Sequence, residues 1–296
     1  MSEKPFMPYF PRGKGPLVSV LLPTRDRIKG LCTALDSLHS LAKVKEVEYI
    51  LKIDDDDKET LEVYNNLKSV IPIKALISSQ GNGYKDYHLW INEMCKMAKG
   101  DWLYMFNDDA TMTCNNWDVY LYAMDFVPEA TWHGCPDVCM LITPTKERPE
   151  SYEMAFLRKN VVDILGHYSL NPHCDNWMAT VMCFISSAFR LEPVVVTHPE
   201  KGERQKQVPI YKETGDLLNT PGQRREMVKD VLKLIDHVEK WQAEKKVKEK
   251  EVRIYEENEM YCSQCMQVTT HQRVDKALEC GSCGWIQTGW APEWNC

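Results

Sequence analysis

The residues Asn107-Asp108-Asp109 end an apolar run, "GDWLYMFNDDATM" over 100–112, and set two like charges side by side. Adjacent carboxylates repel each other and are costly to desolvate together. A divalent cation resolves the conflict: hard oxygen ligands suit Mg2+ or Mn2+, and Mg2+ typically takes one or two carboxylates plus substrate phosphates. The same residue types also make ordinary solvated turns after strands, with no ligand. A second acidic cluster, Asp54 to Asp57, follows the run "VEYILKI". There Asp56 and Asp57 also suit the first turn of a following helix, where the macrodipole favours negative charge.

The cysteines divide into two kinds. Cys262-x-x-Cys265 and Cys280-x-x-Cys283 are two tight pairs at zinc-ribbon spacing. Four thiolates there would close a tetrahedral Zn2+ site and supply the folding energy that so short a module lacks. Cys32, Cys95, Cys114, Cys135, Cys139, Cys174 and Cys183 are scattered through apolar or helical contexts and read as small reduced core residues.

The elements that must hold these groups are legible in the pattern. "PLVSVLLPT", "VEYILKI", "IKALIS" and "DWLYMF" read as buried strands. Between them, "IKGLCTALDSLHSLA", "KETLEVYNNLKSV" and "DYHLWINEMCKMAKG" read as helices, the last closed by Gly100 as a C-cap. Strands alternating with helices imply a mostly parallel α/β sheet. In such sheets ligands sit outside the carboxyl ends of the strands. Pro23-Thr24-Arg25, Asp54 to Asp57 and Asn107-Asp108-Asp109 all fall at such ends. Further on, "LEPVVVTHPE" reads as a strand ending at His198, and residues 200–219 read as loop. Thr220-Pro221-Gly222-Gln223 then starts a long helix reaching about residue 250, with Thr at N-cap and Pro at N1. Its apolar stripe is Val228, Val231, Leu232, Ile235, Val238 and Trp241.

This ordered set resembles the GT-A fold glycosyltransferases, in particular the large inverting family 2. The matching elements are "VSVLLPTRDRIKGL", "YILKIDDDD" and "INEMCKMAKGDWLYMFNDDATM", in the family's order and spacing over about residues 17–200. The resemblance implies a Rossmann-like, mostly parallel sheet flanked by helices, and a nucleotide-sugar donor, UDP-linked, held with Mn2+ or Mg2+. It implies that Pro23, Thr24 and Arg25 line the nucleotide pocket, and that Asp54, Asp55 and Asp56 hold the base and ribose. Asn107-Asp108-Asp109 stands at the DxD position, whose last carboxylate ligates the donor's metal. Asn107 departs from the family's first Asp, so ligation falls to Asp109, with Asp108 nearer the donor ribose or sugar.

In the same resemblance, "FLRKNVVDILGHYSLNPHCDNW" matches the acceptor-side segment, and Asp175 stands for the catalytic base. That base removes the acceptor hydroxyl proton while the oxygen attacks the anomeric carbon in line. Where the family often has Glu-Asp, this chain has Asp175-Asn176, and Asp175 would equally cap a helix starting at Asn176. His198 stands where a histidine in several GT-A enzymes completes the metal site, although a lone His is often a satisfied surface residue. His167 and His173 flank Asp175 as positioning candidates.

The expected organisation is a GT-A domain over 1–215, a helical linker over 216–255 and a zinc ribbon over 256–296. A ribbon, the basic residues Arg224, Arg225, Lys229, Lys233, Lys240, Lys245, Lys246, Lys248, Lys250 and Arg253, and Trp285, Trp290 and Trp294 favour a macromolecular acceptor. A hydroxymethylated DNA base, as in phage DNA-modifying glycosyltransferases, is the sharper expectation. A saccharide, lipid or protein acceptor with a purely structural ribbon is the other. The net charge of −7 gives no global field attracting nucleic acid. A nucleotidyltransferase would call for a glycine-rich turn after the first strand, which "PTRDRIKG" does not supply. A catalytically inactive binding protein stays open. No apolar run is long enough to span a bilayer and the N-terminus lacks an apolar signal core, so the expected location is the cytoplasm, of the host if the gene is a phage's.

Overall fold

Six residues of leucine, valine and serine ending in proline, Val18–Pro23, form β1, which is buried almost throughout. The computed structural model describes residues 16–124, 135–198, 209–262, 267–274, 277–280 and 286–288. The chain forms two compact units, residues 1–238 and 239–296.

In the first unit, β1 is followed by α1 (Ile28–Leu41), β2 (Val47–Asp54), α2 (Lys58–Leu67), β3 (Ile73–Ser78), α3 (Tyr87–Met97) and β4 (Trp102–Met105). Then come β5 (Thr111–Met112), α4 (Trp117–Met124), β6 (Met140–Ile142), β7 (Ala155–Arg158), α5 (Lys159–Leu165), α6 (Cys174–Phe184), β8 (Ala188–Arg190) and β9 (Val196–Thr197). Helices α7 (Pro209–Leu218) and α8 (Pro221–Asn258) follow. The main sheet runs β3-β2-β1-β4-β7-β6-β8. β1 pairs in parallel with β2 and β4, and only β7 runs against its neighbours. β5 and β9 form a separate antiparallel pair that ties the segment after β4 to the residues before His198.

Every residue of β2 is buried, which explains its nearly continuous apolar run. Its three charged exceptions, Glu48, Lys52 and Asp54, sit toward its two ends. At the start, Glu48 accepts from Ser19 Oγ, Lys74 Nζ and the Lys99 amide, each at 2.6 Å. Near the other end, Lys52 reaches the cleft described below. The core on one face includes Tyr104 stacked on Phe156 at 3.8 Å between centroids, with Trp117 stacked beyond it. Trp117 also donates to the Leu38 carbonyl, and its neighbour Asp118, fully buried, accepts from the amides of Lys43, Val44 and Lys45. That carboxylate fixes the turn between α1 and β2, where Lys45 has φ of 61°.

Several expectations need correction. Residues 209–218 are helix rather than loop. Helix α3 ends at an extended Ala98, not on a glycine cap; Gly100 is needed because a Cβ there would lie 2.4 Å from the Ser19 nitrogen. The left-handed glycine cap occurs instead at Gly166, φ 86°, whose amide donates to the Val162 carbonyl. Thr220 does cap α8, accepting from the Gln223 amide, but the buried face is Met227, Asp230, Leu234 and Val238, while Val228 and Leu232 are exposed. Asp230 hides this stripe from hydropathy: buried, it accepts from Trp177 Nε1 and lies 2.9 Å from His167 Nε2. Cys32 and Cys183 are exposed rather than core. Among the described residues no helix is long and apolar enough to cross a membrane.

The second unit contains the later part of α8 and a four-stranded antiparallel meander, β10 (Glu259–Cys262), β11 (Gln267–Val274), β12 (Ala277–Cys280) and β13 (Ile286–Thr288). Cys262 and Cys280 each end a strand; Cys265, Cys283, Trp285, Trp290 and Trp294 lie outside the described residues.

Candidate active site

β1, β2 and β4 are mutually parallel, so their carboxyl ends share one side of the sheet. From β1 the chain steps outward to β2 and β3, then returns to β4 on the opposite flank of β1. The loops leaving β1 and β4 therefore diverge, and a crevice opens between them. A cleft of about 380 Å3 occupies that place. All three polar strand ends reach it, and Asp175 from α6 and His198 from the end of β9 join them.

The β1 end makes the first wall. Pro23 ends the strand, and the Thr24 hydroxyl donates to Asp108 Oδ2 at 2.9 Å. Asp26 takes a left-handed backbone, φ 52°, pinned by its amide's bond to Asp57 Oδ2. The turn brings Arg27 over the neighbouring loop, where Nη1 bonds Asp108 Oδ1 at 3.1 Å and Asp109 Oδ2 at 2.7 Å. Gly30 makes this approach feasible: a Cβ there would lie 2.4 Å from the Asp108 carbonyl oxygen.

The two adjacent carboxylates thus have different surroundings. Burial raises the Asp108 pKa, against the opposing pull of Arg27 and Thr24. Asp109 is held down to about 2, first by its hydrogen bond with His198 and then, against burial, by Arg27. His198 is 4% exposed, and its Nε2 lies 3.0 Å from Asp109 Oδ1. Its Nδ1 lies 3.1 Å from Glu153 Oε2, and Arg148 grips Glu153 through two bonds of 2.6 and 2.7 Å. Burial pulls the imidazole pKa down, but the hydrogen bonds to Asp109 and Glu153 outweigh it and lift it to about 9. Asn107 Nδ2 lies 3.3 Å from the same Nε2.

At the β2 end, buried Asp54 accepts from Lys52 and from Arg25. The Lys52 ammonium also sits 4.2 Å from the centre of the Trp90 ring. Arg25 goes on to clasp exposed Asp56 at 2.7 and 3.1 Å. Asp55 is exposed as well, and neither Asp55 nor Asp56 lines the cleft. Asp57 is the N-cap of α2, accepting from the Thr60 amide at 3.1 Å.

Asp175 sits in the first turn of α6, whose N-cap is His173, so helix capping does not account for its presence in the cleft lining. Tyr84 and Tyr87 stack at 5.5 Å along the same wall, and His173 meets the Tyr84 ring edge-on. His173 bonds Thr214 in α7 at 3.0 Å, while His167 belongs to the Asp230 contact in α8. Arg27, Lys52, Trp90, Glu153 and the two tyrosines carry no role in the sequence reading. Arg27 had a signal, as a second arginine beside acidic strand ends, and so had Lys52, as a cation inside an apolar strand. Glu153 and the aromatics arrive only through tertiary folding.

No protein-family model matches the sequence, and no curated protein matches it significantly. Among solved structures, the first unit's fold is shared with the mannosyltransferase PcManGT from Pyrobaculum calidifontis, solved with GDP-Man and Mn2+. The TM-score is 0.51 at 14% identity over 65% of this chain, and the match spans 60% of that enzyme's length. S. aureus TarS 1-349 with UDP-GlcNAc aligns at a TM-score of 0.49 and 16% identity, over 71% of this chain and 69% of that one. At 14% identity the likeness to PcManGT is one of architecture: the first unit is a GT-A-type α/β fold, with a mostly parallel sheet flanked by helices.

Proposed function

We propose that this cleft transfers a sugar from a nucleotide-sugar, UDP-linked, to a hydroxyl acceptor, with Mn2+ or Mg2+ on the donor diphosphate. The observation that carries the reading is the corner where Asp109 meets His198 at 3.0 Å, beside Asp108, at the switch point of the sheet. An oxygen and an imidazole nitrogen suit Mn2+, and Arg27 already spans Asp108 and Asp109 as a cation. Among the described residues no third carboxylate or imidazole comes close enough to complete a three-ligand cage there. Asp109 and His198 would hold such an ion together with the donor's phosphates, as in sites that bind a metal only with its nucleotide. When bound, the ion supplies neutralisation of the leaving diphosphate's charge.

The chain's own residues divide the rest of the work. Glu153 faces Nδ1 of His198, which keeps Nε2 directed at Asp109. Arg27, half exposed and bonded to both carboxylates, would turn toward a donor phosphate. Asp54, held by Lys52 and Arg25, offers acceptor oxygens for the base or ribose, with Trp90 beside them. Asp108, anchored by Thr24, faces the ribose or sugar. Asp175 takes the acceptor hydroxyl proton as that oxygen bonds the anomeric carbon and the diphosphate leaves with its electron pair, which inverts the centre.

For the acceptor, the reading is a hydroxymethyl group on a modified DNA base, with the two CxxC pairs holding structural Zn2+. The basic residues of α8 and the cysteine spacing support it. Incubation of the full chain with labelled nucleotide-sugars and Mn2+, offering hydroxymethylated DNA, unmodified DNA and simple saccharides, tests it. Label on hydroxymethylated DNA alone is expected. Label on saccharides alone would leave a glycosyltransferase with a structural ribbon, and label on nothing would favour a binding protein.

A further inference from the structure

Away from the cleft, three side chains of different chemistry converge between the segment leading into β6 and helix α8. Cys135, Asp137 and His237 bring a sulfur, a carboxylate oxygen and an imidazole nitrogen within 4.8 Å of one another. We propose that these three residues bind one zinc-class divalent cation, which fastens the first half of α8 to the sheet. The inference is independent of the reaction assigned to the cleft.

Among the described residues, His237 is the member that lacks a partner at Nε2, and the other two are held in place beside it. His237 Nε2 is buried and, among the described residues, has no hydrogen-bond partner, a state that costs free energy unless something meets the lone pair or proton. Asp137 Oδ2 lies 3.7 Å away, too far for a hydrogen bond but suited to two ligands of one ion. Asp137 Oδ1 is meanwhile held by Asn160 Nδ2 at 2.7 Å, which orients the carboxylate and leaves Oδ2 toward the histidine. The Cys135 side chain is fully buried, and the backbone amides of Asp137 and Val138 hydrogen-bond its sulfur. Burial raises the Cys135 pKa on balance while these amides pull the other way, and a cation beside the sulfur would supply the charge that favours the thiolate, the form that ligates metal.

The donor set selects the ion. One thiolate, one imidazole and one carboxylate suit Zn2+ and disfavour Mg2+, which prefers oxygen alone. A thiolate and a carboxylate also cancel the charge of a divalent ion, so a partly buried site ends neutral. Zn–S near ~2.3 Å and Zn–N or Zn–O near ~2.1 Å require the ligand atoms to close by about 1 Å. His237 is one-third exposed and can supply that motion by rotation about its side chain. Water takes the fourth position, and the Cys135 proton leaves to solvent on binding. The site would add a covalent-strength staple beside the Leu234 and Val238 contacts of α8.

Zinc counting on the full chain tests the proposal, with the Cys262→Ser/Cys265→Ser protein as background to remove the ribbon's contribution. After loading with ZnCl2 and desalting, that protein should retain one zinc, and adding His237→Gln or Asp137→Asn should take the count to zero. ZnCl2 should also raise the melting temperature of the background protein and leave that of the His237→Gln derivative unmoved. His237→Gln keeps the buried Leu234 and Val238 in place, so the derivative folds; Cys183→Ser, an exposed cysteine elsewhere, should keep the zinc. Equal zinc in the background and in its His237→Gln derivative, or no zinc in either, would overturn the proposal.

Discussion

His198 Nε2 lies 3.0 Å from Asp109 Oδ1, linking the residue after β9 to the loop after β4 across 89 positions of sequence. Glu153 on the far side of the ring makes the imidazole a bridge between two carboxylates, and both hydrogen bonds favour its charged form. A metal at this corner must displace the Nε2 proton. Mn2+ affinity in the presence of nucleoside diphosphate should therefore rise with pH up to about 9 and level off above it. Calorimetric titration across pH checks this, and His198→Gln should flatten the profile while weakening binding. A profile that stays steep without His198 would remove the imidazole from the metal site.

Gly30 packs its α-carbon face against the Asp108 carbonyl, so added volume there strains the acidic loop directly. Gly30→Ala ordinarily gains helix propensity, but here overpacking should cost about 1–3 kcal/mol and displace Asp108. Donor turnover should fall more than thermal stability does. Full activity in this variant would mean that the α1 approach does not set the loop's position.

Asp175→Asn keeps the shape of the α6 first turn and removes the proton acceptor. Transfer to acceptor should drop about 10^2- to 10^4-fold in kcat, with donor KM nearly unchanged. Steady-state kinetics with the donor varied separates this from a binding defect. An unchanged kcat would return Asp175 to a purely structural place in the helix.

Glu48 carries a pH-dependent part of the fold at the end of the sheet away from the cleft. Burial raises its pKa, but Lys74, Ser19 and the Lys99 amide outweigh it, so the net shift is downward. A lowered folded pKa means that the stabilisation is complete above the ordinary glutamate value and is lost as pH falls through the folded one. Urea midpoints measured from about pH 6 to pH 3 should fall more steeply in the parent than in Glu48→Gln. Parallel slopes would contradict this.

Asp118→Ala would orphan three backbone amides at Lys43, Val44 and Lys45. An expected loss of about 3 kcal/mol follows from removing charged hydrogen bonds and leaving donors unmet. Chemical denaturation gives the number, and a loss under about 0.5 kcal/mol would show that water replaces the carboxylate.

What the sequence makes legible follows burial and local pattern. β1 to β4 read clearly because apolar runs alternate with helical spacing, and the three polar strand ends read clearly because charges stop those runs. The α8 face does not, since Asp230 occupies its centre and only Trp177 and His167 reveal why. Residues 209–218 are polar enough to pass as loop, although Thr214 is buried under His173. Glu153 is likewise silent, since its value is the His198 ring it meets through the fold, whereas Arg27 shows only as a second arginine beside acidic strand ends. Asp55 errs the other way, an acidic strand-end residue that the turn points into solvent.

The central claim is that Asp109 holds a metal for nucleotide-sugar chemistry. The most direct measurement is release of nucleoside diphosphate from a panel of UDP- and GDP-sugars with Mn2+, comparing the parent chain with Asp109→Ala. Mn2+-dependent release by the parent, lost at least about 10^2-fold in the variant, is the predicted result. Full release by the variant would contradict the metal assignment, and no release from any donor by the parent would contradict the glycosyltransferase reading itself.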